Sequence, residues 1–107
     1  MSDLKTSEIL RAAADVIETR GLHKGYFYWG GRASDPGAVC MFGAINFAES
    51  GEADIGASDE LNWSATAAMG YGSLQSVVDW NDAPERTADE VRDALLEAAM
   101  RAEAAGE

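Results

Sequence analysis

The chain has 107 residues, 19 acids against eight bases, a net charge of −11 and an apolar share of 47%. That length sets a prior of one domain, residues 1–107, and a core built from about fifty apolar residues, twenty of them Ala, excludes a disordered tail. The acid excess repels phosphate backbones and anionic lipid, so neither nucleic acid nor a membrane is an expected partner.

In chain order, the first element is a helix. Ile9, Leu10, Ala13, Val16 and Ile17 fall on one helical face, Thr6 or Ser7 can cap its start, and Gly21 fits its end. Tyr26-Phe27-Tyr28-Trp29, between glycines, reads as a short extended aromatic segment or as a loop anchored by its rings. Asp35-Pro36 has the form of a helix start, followed by Cys40, Gly43, Ala44 and Phe47 at helical spacing; a strand over Val39–Phe42 is the competitor. Residues 50–58 read as an acidic loop. A third helix is expected from Ser58 to Met69 and a short fourth from Ser73 through Leu74, Val77 and Val78. Trp80-Asn81-Asp82-Ala83-Pro84 reads as a turn. Thr87-Ala88-Asp89-Glu90 is a capping box opening a last helix with Val91, Leu95, Ala98, Ala99 and Ala102 inward. The expected fold is mostly α, a compact domain of four to five helices. The aromatic cluster of Tyr26 to Trp29, Trp63 and Trp80 is expected in the core.

The N-terminus has no apolar run of the kind a secretory signal needs, and the longest uncharged stretch, Leu61–Val78, is too polar for a membrane span. Cys40 is the single cysteine, so neither an internal disulfide nor a thiolate zinc cluster can form. These features lead to the expectation of a cytoplasmic protein.

Catalytic chemistry has one candidate set. Cys40 near a helix start could be activated as a thiolate, with His23 as base and Asn81 or Asp82 as orienter. The simpler alternative is a structural thiol among Val39, Met41 and Phe42. One histidine gives no multi-histidine metal site, and the spacing around Gly51 and Gly56 does not satisfy an EF-hand. No glycine run has the context of a phosphate loop, so no cofactor is expected.

Charge is unevenly placed. Residues 33–85 hold nine acids and no Lys or Arg, while residues 1–32 net +1 and residues 86–107 net −3. Glu49, Glu52, Asp54, Asp59 and Glu60 therefore form the candidate interaction surface, and its expected partner is a basic protein surface, or a second copy of the chain through apolar segments. Acidity that only keeps the protein soluble explains the same counts.

Several stretches together resemble a family. They are Leu10-Arg11-Ala12-Ala13 with Ile17-Glu18-Thr19-Arg20-Gly21, then Val39-Cys40-Met41-Phe42-Gly43-Ala44-Ile45, and Val77-Val78-Asp79-Trp80-Asn81-Asp82 with Arg86-Thr87 leading into Val91. The sequence resembles an uncharacterised family, a domain of unknown function, of small proteins from actinobacteria and their phages. The resemblance implies a phage or prophage accessory gene and brings no catalytic residues. The best reading is a non-catalytic acidic interaction protein; the alternative is a small thiol enzyme using Cys40 with His23.

Overall fold

The computed structural model describes residues 5–54, 59–70 and 72–107, with the side chains of 59–63 outside the description. Among the described residues there are five helices and one hairpin: α1 (Thr6–Arg20), β1 (Tyr28–Arg32), β2 (Asp35–Val39), α2 (Met41–Ser50), α3 (Asp59–Ala68), α4 (Leu74–Asp82) and α5 (Ala88–Ala104). The mostly helical expectation holds.

The helices α1 and α5 form the spine. They run antiparallel, as three contacts along their length fix. Ser7 N–H donates to the Glu107 carbonyl at 3.2 Å, Arg11 pairs with Glu103, and Arg92 pairs with Glu18 at 3.5 Å. Between them lie Leu10, Ala13 and Ile17 from α1 and Val91, Leu95, Ala98 and Ala102 from α5, all buried. The alanines on α5 let the two backbones approach closely, so the larger side chains of α1 fill the interface. The first turn of α1 is set by Glu8, whose carboxylate accepts the Lys5 N–H at 3.0 Å. Lys5 therefore takes the capping position expected of Thr6 or Ser7.

The second predicted helix starts late. Asp35-Pro36 belongs to strand β2, which pairs antiparallel with β1 in the register Tyr28↔Val39 to Arg32↔Asp35. The hairpin wins because its backbones close tightly at two glycines. A Cβ on Gly31 would lie 2.3 Å from the Asp35 carbonyl oxygen, and one on Gly37 would lie 2.3 Å from that of Trp29. Gly37 would also weaken a helix interior. Arg20 holds the hairpin to the helices: it pairs with Asp35 at 2.9 Å, donates to the Pro36 carbonyl, and sits 4.9 Å from the centre of the Phe47 ring.

Helix α2 begins at Cys40, whose thiol accepts the Gly43 N–H at 3.3 Å. Its first turn presses directly on the segment before β1. The Cys40 N–H donates to the Phe27 carbonyl at 3.1 Å, and a Cβ on Gly43 would lie 2.0 Å from that same oxygen. Glycine in a helix costs about 1 kcal/mol against alanine; here it admits a neighbouring backbone.

Helix α4 corrects a second expectation. Trp80, Asn81 and Asp82 are its last residues, and the turn follows at Ala83–Arg86, closed by the Arg86 N–H on the Ala83 carbonyl at 2.9 Å. Trp80 is half-buried rather than enclosed, because the Arg86 guanidinium covers it at 4.0 Å from the ring centre. Arg86 also donates to the Trp80 carbonyl at 2.9 Å and pairs with Glu90 at 2.9 Å. Glu90 closes the predicted capping box on Thr87. That backbone bond from Thr87, then Arg86, hold its carboxyl below the ordinary value of 4.5. The cap is complete above that value and is lost only as pH falls through the lowered one.

The aromatic cluster joins the core only in part: Tyr28 and Trp80 are half-buried and pack against it. Tyr26 and Trp29 are 60% and 71% exposed, Phe27 and Tyr28 are half-buried, and the Trp63 ring lies outside the described residues. Strand alternation sends Tyr28 toward the core and Trp29 to the opposite face, and Tyr26 precedes the strand.

Gly43→Ala is expected to destabilise the fold by roughly 1–3 kcal/mol, the range of core overpacking, read from denaturant unfolding. Gly72→Ala, which meets open space, should change stability by less than about 0.5 kcal/mol. Equal effects would contradict the close contact at Phe27.

Candidate functional site

The last turn of α4, the start of α2 and residues 23–27 meet at one place, and Asn81 joins them. Its side chain is buried at 2% exposure. Asn81 Oδ1 accepts the Met41 N–H at 3.0 Å, satisfying a donor that the first turn of any helix leaves open. Asn81 Nδ2 donates to the His23 carbonyl at 3.4 Å and to Asp82 Oδ1 at 3.0 Å. This polarity is forced. An N–H on one side needs the oxygen, and a carbonyl and a carboxylate on the other need the NH2. Aspartate could not replace the donor half, and leucine could replace neither.

Asp82 extends the junction outward. Its Oδ1 also accepts the Gly25 N–H at 3.1 Å. Lys24 closes the outer side, its ammonium donating to the carbonyls of Ala83 at 2.6 Å and Pro84 at 3.1 Å. These are the carbonyls at the end of α4, where a cation is favoured.

A pocket of about 130 Å³ opens beside this junction. One wall is Gly25–Phe27, a second is Cys40–Phe42, and the third is Val77, Val78, Asn81 and Asp82 of α4. The walls are largely apolar, with the Cys40 thiol in one and the Asp82 carboxylate at another. Burial is the main cause that pushes the Cys40 thiol above its ordinary value of 9.0, and the negative charge of Asp82 adds to it. The bonds from the Gly43 and Phe42 amides act the other way without prevailing. A thiolate is thus disfavoured at neutral pH.

The structure therefore gathers Cys40, Asn81 and Asp82 but not the full thiol set. His23 does not line the pocket; its imidazole stacks on Trp29, with ring centres 5.9 Å apart. Among the described residues no hydrogen bond joins His23 to Cys40, and no group of three or more metal-ligating side chains occurs. Of the proposed interaction residues, Glu49 is half-buried in the last turn of α2, and Glu52 and Asp54 follow in the loop, with Asp54 exposed. Asp59 and Glu60 open α3, and their side chains lie outside the described residues. Among the described residues no helix is long and apolar enough to cross a membrane.

The pocket walls Gly25, Tyr26, Phe42 and Val78 carry no sequence signature, because three distant segments build them. Gly43 did carry one: a glycine inside a helical pattern commonly marks a close packing contact.

Cys40 in the folded protein is expected to react with iodoacetamide at neutral pH roughly tenfold or more slowly than in denaturant, because thiolate supply and access are both reduced. Equal rates would contradict its placement.

No curated protein and no solved structure matches the chain. Residues 1–101 match the Family of unknown function (DUF6197). The match runs through the spine helix α1, the hairpin, the pocket walls and the Trp80–Asp82 junction, and the chain belongs to that family.

Proposed function

We propose that the protein is a non-catalytic interaction protein that presents carboxylates to a basic protein surface. One observation carries this: the uneven use of its cations. Arg11, Arg86, Arg92 and Arg101 pair with acids of α1 and α5, and Arg20 takes Asp35. Lys24 is spent on backbone carbonyls. Among the described residues Glu52, Asp54, Asp79, Asp82 and Glu85 stand in no ion pair. Six of the eight acids of α1 and α5 stand in an ion pair, all but Glu8 and Asp15, whereas within residues 33–85 Asp35 is paired and the five acids just named are not. An unbalanced field steers opposite charge to that side of the molecule.

A second copy is the other partner to weigh, since Tyr26 and Trp29 are exposed. Two chains of −11 each repel, which favours the basic partner. The family resemblance noted above supports an accessory role in an actinobacterial phage or prophage. Burial, which pushes the Cys40 thiol up, and the stacking of the His23 ring on Trp29, outside the pocket lining, weigh against the thiol-enzyme alternative.

A flexible peptide of alternating lysine and glycine serves as the probe, followed by amide shifts. Shifts are expected at residues 49–54 and 79–85, with little change along α1 and α5. They should fade in moderate salt, while the same salt raises the melting temperature by relieving repulsion. Replacing Glu49, Glu52, Asp54, Asp59 and Glu60 by their amides should remove the first group of shifts and leave the fold intact. Shifts spread evenly over all acids, or unchanged by salt, would overturn the proposal.

A further inference from the structure

The pocket beside Asn81 has features that a merely acidic surface lacks. Its walls are apolar: Met41 and Phe42 on one side, Val77 and Val78 on another. Two rings, Tyr26 and Phe27, stand at its third side with centres 5.5 Å apart, and Tyr26 is 60% exposed. The charge at its edge is incompletely used. Asp82 Oδ1 accepts two donors, Gly25 N–H and Asn81 Nδ2, whereas among the described residues Oδ2 accepts none. The neighbouring cation Lys24 is turned to the Ala83 and Pro84 carbonyls and does not pair with Asp82.

At about 130 Å³ the space is small; small-molecule sites run to roughly 300–1,000 Å³. One side chain fits it better than a cofactor. Its chemistry matches a chain that is apolar along its length and cationic at its end: methylenes against the valines and Phe42, the charge between the rings and a carboxylate oxygen. Because Oδ1 is already doubly occupied, Asp82 offers a single acceptor. That suits a compact ammonium better than the two-pronged fork of a guanidinium.

We infer that this pocket receives a lysine side chain of the partner, its stem on Phe42 and Val78 and its ammonium on Asp82 Oδ2. The inference rests on the basic-partner proposal and gives that contact an anchor and a residue type.

The test uses n-butylammonium as the lysine side-chain mimic, with n-butanol and n-propylguanidinium as comparators, on the full chain by amide and methyl shifts. Butylammonium is expected to saturate, with shifts at Gly25, Phe42, Val78 and Asp82, and to bind roughly three- to tenfold more tightly than butanol. Asp82→Asn keeps an oxygen for the Gly25 N–H and removes the charge; it should abolish that preference and leave butanol binding unchanged. Val78→Phe fills the pocket and should weaken both ligands. Equal binding of butanol and butylammonium, tighter binding of propylguanidinium, or shifts that never saturate would overturn the inference. Should butylammonium fail while the lysine–glycine peptide still shifts residues 49–54 and 79–85, the pocket assignment falls and the acidic-surface proposal stands. Saturation by butylammonium with evenly spread peptide shifts would leave the pocket assignment and remove the surface proposal.

Discussion

A buried amide side chain cannot be left half-bonded, and Asn81 meets that demand by tying together three parts of the chain. Each unmade hydrogen bond at such a site costs roughly 1–3 kcal/mol. The oxygen of Asn81 fixes where α2 starts, through the Met41 N–H, and its nitrogen holds the His23 carbonyl and Asp82, whose Oδ1 in turn accepts the Gly25 N–H. Once α2 starts at that place, its first turn lies against the Phe27 carbonyl, and only glycine fits at position 43. The hairpin then has to turn over before Cys40, which is why Asp35-Pro36 enters a strand.

The same junction explains why Trp80-Asn81-Asp82 and Arg86-Thr87 occur as one unit. Arg86 covers the Trp80 ring, caps the end of α4 through the Trp80 carbonyl, and reaches Glu90, which closes the start of α5. One arginine thus joins two helices, and lysine could not reproduce it, because stacking and the fork of donors both need the planar guanidinium. Arg20 does similar work at the hairpin. With Arg11, Arg20, Arg86, Arg92 and Arg101 paired to acids, five acids of residues 33–85 stand in no ion pair among the described residues. Fold and electrostatic character have a common cause in where the cations are placed.

Much of this was legible in the sequence. The 3.6-residue spacing of Ile9 to Ile17 and of Val91 to Ala102 reports a helix face because those helices bury one stripe each. Thr87 and Glu90 report a cap because their bonds are local. Two misreadings have physical reasons. Asp35-Pro36 satisfies the local rules for a helix start, yet the preference yields to a backbone contact between Gly37 and Trp29 that sequence spacing does not encode. Trp80-Asn81-Asp82 has turn-forming composition, yet Asn81 uses its amide on a helix 40 residues away. The exposed Trp29 follows from strand alternation, which turns Tyr28 to the core and its neighbour outward. The pocket was not legible as a site, since its three walls come from segments far apart in the chain: Cys40, Asn81 and Asp82 are candidates for chemistry in the sequence, whereas Tyr26, Phe27, Phe42, Val77 and Val78 read there only as elements of local structure.

Hydrogen exchange of the Met41 amide tests the role of Asn81 most directly. Amides in the first turn of a helix have no partner within it and exchange readily. With Asn81 Oδ1 as acceptor, the Met41 amide should be protected as strongly as amides in the middle of α2, and Asn81→Ala should bring it down to first-turn exchange while α1 and α5 remain folded. A Met41 amide that exchanges in the native protein as fast as an uncapped first-turn amide would contradict the account.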